Sequence, residues 1–474
     1  MKFDKETAIA IAICVVVLFG WDPFCRYMGW GRPAAVPAAA PAAPAAQTAP
    51  AAPAVSPAAP AAAQTPAASP AAKPVEPVQA ARPLPPVELK NSDMVLRITP
   101  LDGSVSAITM QRYLNAKRTD PVVLDQTLGQ HTGALSLFEP GAQWIVTGIL
   151  SSRLEGDSYT LERRIHTASG AAFDLLQKWR IAASGYETDI TVSVKNSGGA
   201  PLAFNNLVFN GGDLAPWALI SGDKVRVASH RMDYLTPAGK FFDLKAGWDD
   251  EDFFQNPAPV VSWSGIGNKY FAVLLTAADP YTLYQARTYR VNGKAKDEIM
   301  TVGARLAPFL LGAGESREFR FRYYSGPKVI AQLDAFDRST GRVMHLAWGP
   351  LDYLARLLLW ILVKLHGLCG SYGVSIIILT LLVRLLFYPV TAKANASMKK
   401  MQAVQPKIQE LREKYKENPQ LLNTKMMELY RTEKINPFGG CLPILLQIPV
   451  FFALYATLDG AVELRQVPFL WSHD

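Results

Sequence analysis

Apolar and polar positions along this chain keep three different periods, and the boundaries between them divide it into segments. The first apolar run, residues 8–20, stands behind Lys2 and Lys5 and ahead of Trp21, Phe24, Tyr27 and Trp30. A basic start before a short apolar run fits a secretory signal or an uncleaved anchor. The bulky Trp21-Asp22-Pro23-Phe24 and the Pro-Phe pair before Cys25 lack the small residues that cleavage needs. Residues 1–30 are therefore expected to be a signal-anchor transmembrane helix with an aromatic interfacial belt. From 31 to 86 Ala and Pro dominate. Such a segment buries no core and its prolines block helix, so it is expected to be a disordered tether reaching on the order of 150 Å. A domain behind such a tether is expected to be mechanically isolated and largely dispensable.

The period then shortens to two. Thr188, Ile190, Val192 and Val194 share one face, as do Phe319, Phe321 and Tyr323. Further strands are expected at 95–99, 104–110, 159–166, 173–181, 269–276 and 281–290, with turns at Asn196-Ser-Gly-Gly199 and Val291-Asn-Gly-Lys294. Short strands without intervening helices predict that 87–326 is one large antiparallel β-sandwich.

Helical periods take over after 326. Residues 327–349 read as a connector helix. In 350–368 the charges Asp352, Arg356 and Lys364 fall near one narrow face. The uncharged run between Arg356 and Lys364 is too short to span, so an amphipathic interfacial helix is expected. Residues 371–391 are long and apolar enough for a transmembrane helix, interrupted by Arg384. Residues 392–436 read as a helical hairpin: Val404, Ile408, Leu411 and Tyr415 on one arm, a break at Asn418-Pro419, then Leu422, Met426, Leu429 and Glu433. Residues 437–459 form a further apolar segment with Pro443, Pro449 and the amide of Gln447, and 460–474 a closing loop. The expected architecture is a multidomain membrane protein, a helical transmembrane core carrying an extracytoplasmic β-sandwich.

Arg384 carries most of the functional information. A charge near the centre of a membrane helix costs about 2.5–3.5 kcal/mol. It lies roughly 10 Å from the end of its segment, close enough to snorkel to the interface. Thr380, Arg384, Tyr388 and Thr391 also recur at i, i+4, i+8 and i+11, a polar stripe that suits a hydrated groove. Gln447 is as well placed to bond a neighbouring helix as to face that groove.

Charge sets the orientation. The formal net charge of +8 could point to nucleic acid. The excess concentrates instead in 392–436, with ten Lys/Arg against five Glu. By the positive-inside rule this hairpin is cytoplasmic, the amino terminus lies on the same side and the β domain on the other. Four Cys and six His show no zinc, disulfide or HxxxH spacing, so no metal or cofactor is expected. Asp249–Asp252, beside Trp248 and Phe253, leaves open a membrane-anchored periplasmic carbohydrate-binding protein. An ion channel gated by Arg384 is a third reading.

Gly373-Val-Ser-Ile-Ile-Ile-Leu-Thr380 with Arg384 and Tyr388-Pro389, Met401-Gln-Ala-Val-Gln-Pro-Lys-Ile408, Asn436-Pro-Phe-Gly-Gly-Cys-Leu-Pro443, Gln447-Ile-Pro449 and Val462-Glu-Leu-Arg-Gln466 resemble the YidC family of membrane-protein insertases. The anchor, tether and β-domain layout resembles its Gram-negative branch, whose β-supersandwich is similar to mutarotase domains. The resemblance implies five core helices around a groove open to cytoplasm and lipid, with Arg384 as the groove arginine and Thr380, Tyr388 and Gln447 beside it. It implies that the hairpin engages ribosomes or a signal-recognition receptor, and Lys399, Lys400, Lys407 and Arg412 are its docking candidates. Implied partners are nascent membrane proteins, the Sec translocon and membrane lipids of a bacterial inner membrane crossed several times. The family continues with three more helices beyond this point, so the chain resembles a C-terminally truncated member.

Overall fold

The computed structural model describes residues 81–469, apart from 129–132, 218–219, 221–229, 246–256, 290–297, 417 and 434–441. The expected anchor, nearly all of the tether, the Asn292-Gly293 turn and the acidic run at 249–252 lie outside the described residues. The described residues divide into two compact units, 81–384 with 451–469, and 385–450.

In the first unit, 87–327 supply eighteen antiparallel strands among the described residues, in sheets of twelve, four and two. The four-stranded sheet spans 87–125, and its Leu96, Ile98 and Ile108 share one core with Trp179, Ile190, Val192 and Phe321 of the twelve-stranded sheet. The strand Glu187–Asn196 buries the expected face, Thr188, Ile190, Val192 and Val194.

Two strand expectations are corrected. Residues 269–276 and 281–290 are not separate strands. Phe271–Tyr289 is one strand of 19 residues. Its first half pairs with Ser316–Pro327 and its second half with Glu298–Arg305. Pro280 sits where these partners exchange, so its missing N–H interrupts neither of these ladders. The strand Val208–Leu214 is buried throughout and does not alternate. Its polar groups are satisfied internally: Asp213 N–H donates to Gln126 Oε1 (2.8 Å), Gln126 Nε2 to Asp213 O (2.9 Å), and Thr301 Oγ1 to Asp213 Oδ1 (2.6 Å). Gly212 takes φ +115°, and a Cβ there would press on Tyr323 and Gln126.

The connector is not one helix. Helix α1 covers only Ile330–Phe336, and a 3-10 turn follows at Thr340–Met344. Thr340 Oγ1 lies within hydrogen-bond reach of both Leu333 O (2.6 Å) and Asp337 O (2.8 Å), which fastens the break. His345 and Gly349 then adopt left-handed backbone. This connector is pinned to the sandwich. Trp263 Nε1 donates to Ser339 Oγ (2.7 Å), and His345 Nε2 meets the buried Asp233 Oδ1 at 2.7 Å. Lys328 donates to Asn268 O (3.0 Å), and burial pushes its ammonium down to about 8.

Helix α2, Pro350–Cys369, packs one face against the sandwich core and other helices, through Ala355, Leu358, Leu359 and Leu362. Its charges do not form a solvated stripe. Arg356 binds Asp352 (2.6 Å) one turn away and donates to Gly341 O (2.6 Å), tying the helix to the 3-10 turn. The opposite face exposes Tyr353, Leu357 and Trp360. The sandwich core therefore continues through Val343 and Met344 to Leu359 and Ala461. This corrects the mechanical isolation expected from the tether.

Helix α3, Tyr372–Lys414, does not stop at 391 but continues through Pro389 and Pro406 to Lys414, 43 residues in all. Each ring removes one backbone bond, a loss that long helices absorb where flanking turns hold. In the second unit, α4 (Pro419–Thr432) begins at an Asn418 cap whose Oδ1 accepts Leu421 N–H at 3.1 Å. Val404 and Ile408 pack against Met426, Leu429 and Tyr430 as the expected thin seam. Helix α5, Leu442–Gly460, contains Pro449.

Candidate functional site

Helix α3 is the one helix among the described residues long and apolar enough to cross a membrane; α5 contributes a shorter apolar helix, Leu446–Gly460. The first part of α3 is held by a small core in which Leu379 meets Ala355, Leu358 and Leu362 of α2 and Ala453 of α5. Small residues at this contact let helices approach closely. Thr457 Oγ1, fully buried, lies 3.0 Å from Ala355 O and 2.8 Å from Ala453 O, linking α5 to α2.

Arg384 emerges from this packed region with an exposed side chain. Leu381 and Leu382 before it are exposed as well. No hydrogen bond or ion pair holds its guanidinium among the described residues. Thr380, half-buried, donates to Ile377 O (2.8 Å), so its hydroxyl is turned to its own helix. In the second unit, Tyr388, Thr391 and Gln447 are exposed, and Thr391 donates to Phe387 O (3.0 Å). Among the hairpin candidates Lys399, Lys400 and Arg412 are exposed, while Lys407 bridges to Glu433 at 2.6 Å across the two arms. That bridge raises the Lys407 ammonium above its usual range.

One cluster was missed by sequence reasoning. Where α5 ends, Asp459 binds Lys269 (2.8 Å), Arg465 lies over the Trp217 ring (4.8 Å), and Gln466 Nε2 donates to Asn115 O (2.7 Å). The signal was present as the charged Val462–Gln466 motif directly after an apolar helix. Its partners are 190 or more residues earlier, or sit in short strands with no sign of a site.

A large antiparallel β-sandwich fused to a helix of membrane-spanning length and composition defines a membrane protein with a substantial domain outside the bilayer. A family model described as YidC periplasmic domain matches residues 86–361, and one described as 60Kd inner membrane protein matches 364–474. The chain belongs to the YidC family. It is 36% identical to the membrane protein insertase YidC of Geobacter sulfurreducens over 311 residues, 65% of this chain and 55% of that one. It is 29% identical to the Burkholderia vietnamiensis insertase over 393 residues, 78% of this chain and 67% of that one. The chain thus spans about half to two thirds of the length of these relatives. A galactose mutarotase-like protein of Lactobacillus casei aligns over 51% of this chain and 100% of its own, at 9% identity and a TM-score of 0.34, too loose to bear on a ligand.

Proposed function

We propose that this chain acts as a membrane protein insertase and chaperone, receiving nascent membrane proteins at the inner membrane alone or with the Sec translocon. The reading rests on one observation: Arg384 is an exposed, unpartnered cation among the described residues, in the apolar part of α3. A cation at that depth attracts water and lowers the cost of moving a client's polar tail partway across, while exposed Leu381 and Leu382 offer lipid-like surface to its apolar segment. No covalent bond changes, so the activity is not enzymatic. Thr380, Tyr388 and Gln447 line the route, and the polypeptide crosses the membrane several times with its amino terminus cytoplasmic and its β domain periplasmic. Lys399, Lys400, Lys407 and Arg412 dock a ribosome or signal-recognition receptor, and α2 lies in the membrane interface against lipid.

The test uses reconstituted protein with Arg, Lys or Ala at 384 and paired clients with acidic or neutral tails. Arg384→Ala should lose the acidic clients by about tenfold while neutral ones suffer less, and Arg384→Lys should keep part of the activity. Equal insertion by all three would reduce Arg384 to an interface anchor.

A further inference from the structure

A cavity of about 580 Å³ opens between the end of the strand Ser104–Leu114, the turn after it, and the segment that follows α5. Three arginines border it: Arg112, Arg118 and Arg465. Arg112 meets the buried carboxylate of Asp93 at 2.5 Å, yet its side chain stays 65% exposed. Arg465 holds its guanidinium over the Trp217 ring, 4.8 Å from the centroid, which fixes the cation at the cavity wall. The one carboxyl in the lining, Glu463, is largely buried, and that burial raises its pKa and weakens its opposition to an anion. Burial likewise raises the Tyr113 phenol, which remains a neutral donor.

The backbone is strained at the same place. Only four non-glycine residues among those described have left-handed φ, and two of them, Arg118 and Gln466 (both +58°), line this cavity. Such residues are strained and persist where surroundings over-determine them. Gln466 is fixed by its bond to Asn115 O, three residues before Arg118, so the two strained turns hold each other.

Position indicates the ligand. Residues 462–468 follow directly on the apolar α5, which ends at Gly460. They also lie near the start of the apolar α3, because Leu464 and Tyr372 pack against the same small core. Both apolar helices therefore terminate beside this cavity, and with α3 placed across a bilayer that end meets the headgroup layer. We propose that the cavity binds a phosphate group, presented there by a phospholipid headgroup, between Arg112, Arg118 and Arg465. Arginine forks match phosphate oxygens in a bidentate manner. The proposal rests on the membrane placement of α3 and α5 and is independent of insertase activity.

The test is calorimetric titration of the full chain in neutral detergent with water-soluble dihexanoyl phosphatidylglycerol, with inorganic phosphate, and with an acidic peptide. Arg118→Gln and Arg465→Gln should each weaken the lipid by about tenfold or more. Arg322→Gln, outside the cavity, should leave it unchanged. Lipid at least tenfold tighter than inorganic phosphate identifies the headgroup as the source. Equal affinities with the same loss in both variants keep the phosphate site and assign it to the free ion. No binding, binding indifferent to Arg118→Gln in a protein that melts normally, or binding of the peptide alone would overturn the proposal. Arg118→Gln decides if the Arg465 variant does not fold.

Discussion

Burial of a titratable side chain has a cost in this fold, and the cost shows as shifted titration. His230 is 1% exposed. Burial, the larger cause, and the nearby Lys328 push its imidazole down to about 3 from an ordinary 6.5, against smaller upward pulls from the Leu214 and Glu298 backbone. Above pH 6.5 the imidazole is neutral both folded and unfolded and makes no difference to stability. As pH falls from 6.5 toward 3, the unfolded chain takes up a proton that the folded one refuses, so stability is lost. At pH 4.5 the loss amounts to about 2–3 kcal/mol. Melting temperature should therefore fall between pH 7 and 4.5 more steeply for the natural protein than for His230→Gln. Parallel slopes would mean that the carboxylates, not His230, govern the acid response.

Elements show where pattern was enough and where it was not. Period-two alternation located Glu187–Asn196, and the first part of Ser316–Pro327 up to Tyr323, because there one face lies on the core. It missed Val208–Leu214, buried on both faces and rich in Asn, Gly and Asp, whose pairing depends on Gln126 and Thr301 from distant sequence. The charge at Arg384 was legible because one arginine in twenty apolar residues stands out. The Asp459–Gln466 cluster was not, since its partners are known only after folding. Packing of α3 depends on a glycine. A Cβ at Gly373 would overlap the ring of Phe469. Gly to Ala in a helix ordinarily gains about 0.5–1 kcal/mol, so Gly373→Ala should instead destabilise. Adding Phe469→Ala should recover the helical gain, read as coupling in a double-mutant cycle of melting temperatures. Additive effects would remove Phe469 from the account. In the hairpin, Lys407 is engaged by Glu433, whereas among the described residues no side-chain partner holds Lys399 or Lys400. Charge reversal at Lys399 and Lys400 should weaken ribosome co-sedimentation without altering helicity. Glu433→Gln, which releases Lys407, should spare it. Unchanged sedimentation after reversal would leave the basic cluster with a role in orientation alone.

For the whole molecule, the distribution of charge and the continuity of packing bear on one question, which side of the membrane each part occupies. The sandwich shares its core with α2 and with Ala461 after α5, so these parts must lie on one side or at its interface. The hairpin carries ten Lys/Arg against five Glu and begins on the charged half of α3. In the orientation proposed above, a helix that is apolar from Tyr372 and increasingly basic beyond 391 points its basic end toward the cytoplasm. Single cysteines can read this directly in a background with Cys14, Cys25, Cys369 and Cys441 replaced. Ser169, exposed in a turn of the sandwich, and Glu413, exposed near the end of α3, report the two sides. With an impermeant maleimide, Ser169→Cys should label in cells whose outer membrane has been opened, and Glu413→Cys only after lysis. Labelling of position 413 before lysis would invert the orientation. It would also move the Arg118 and Arg465 cavity to the cytoplasmic leaflet, where the same phosphate chemistry would meet a different lipid population.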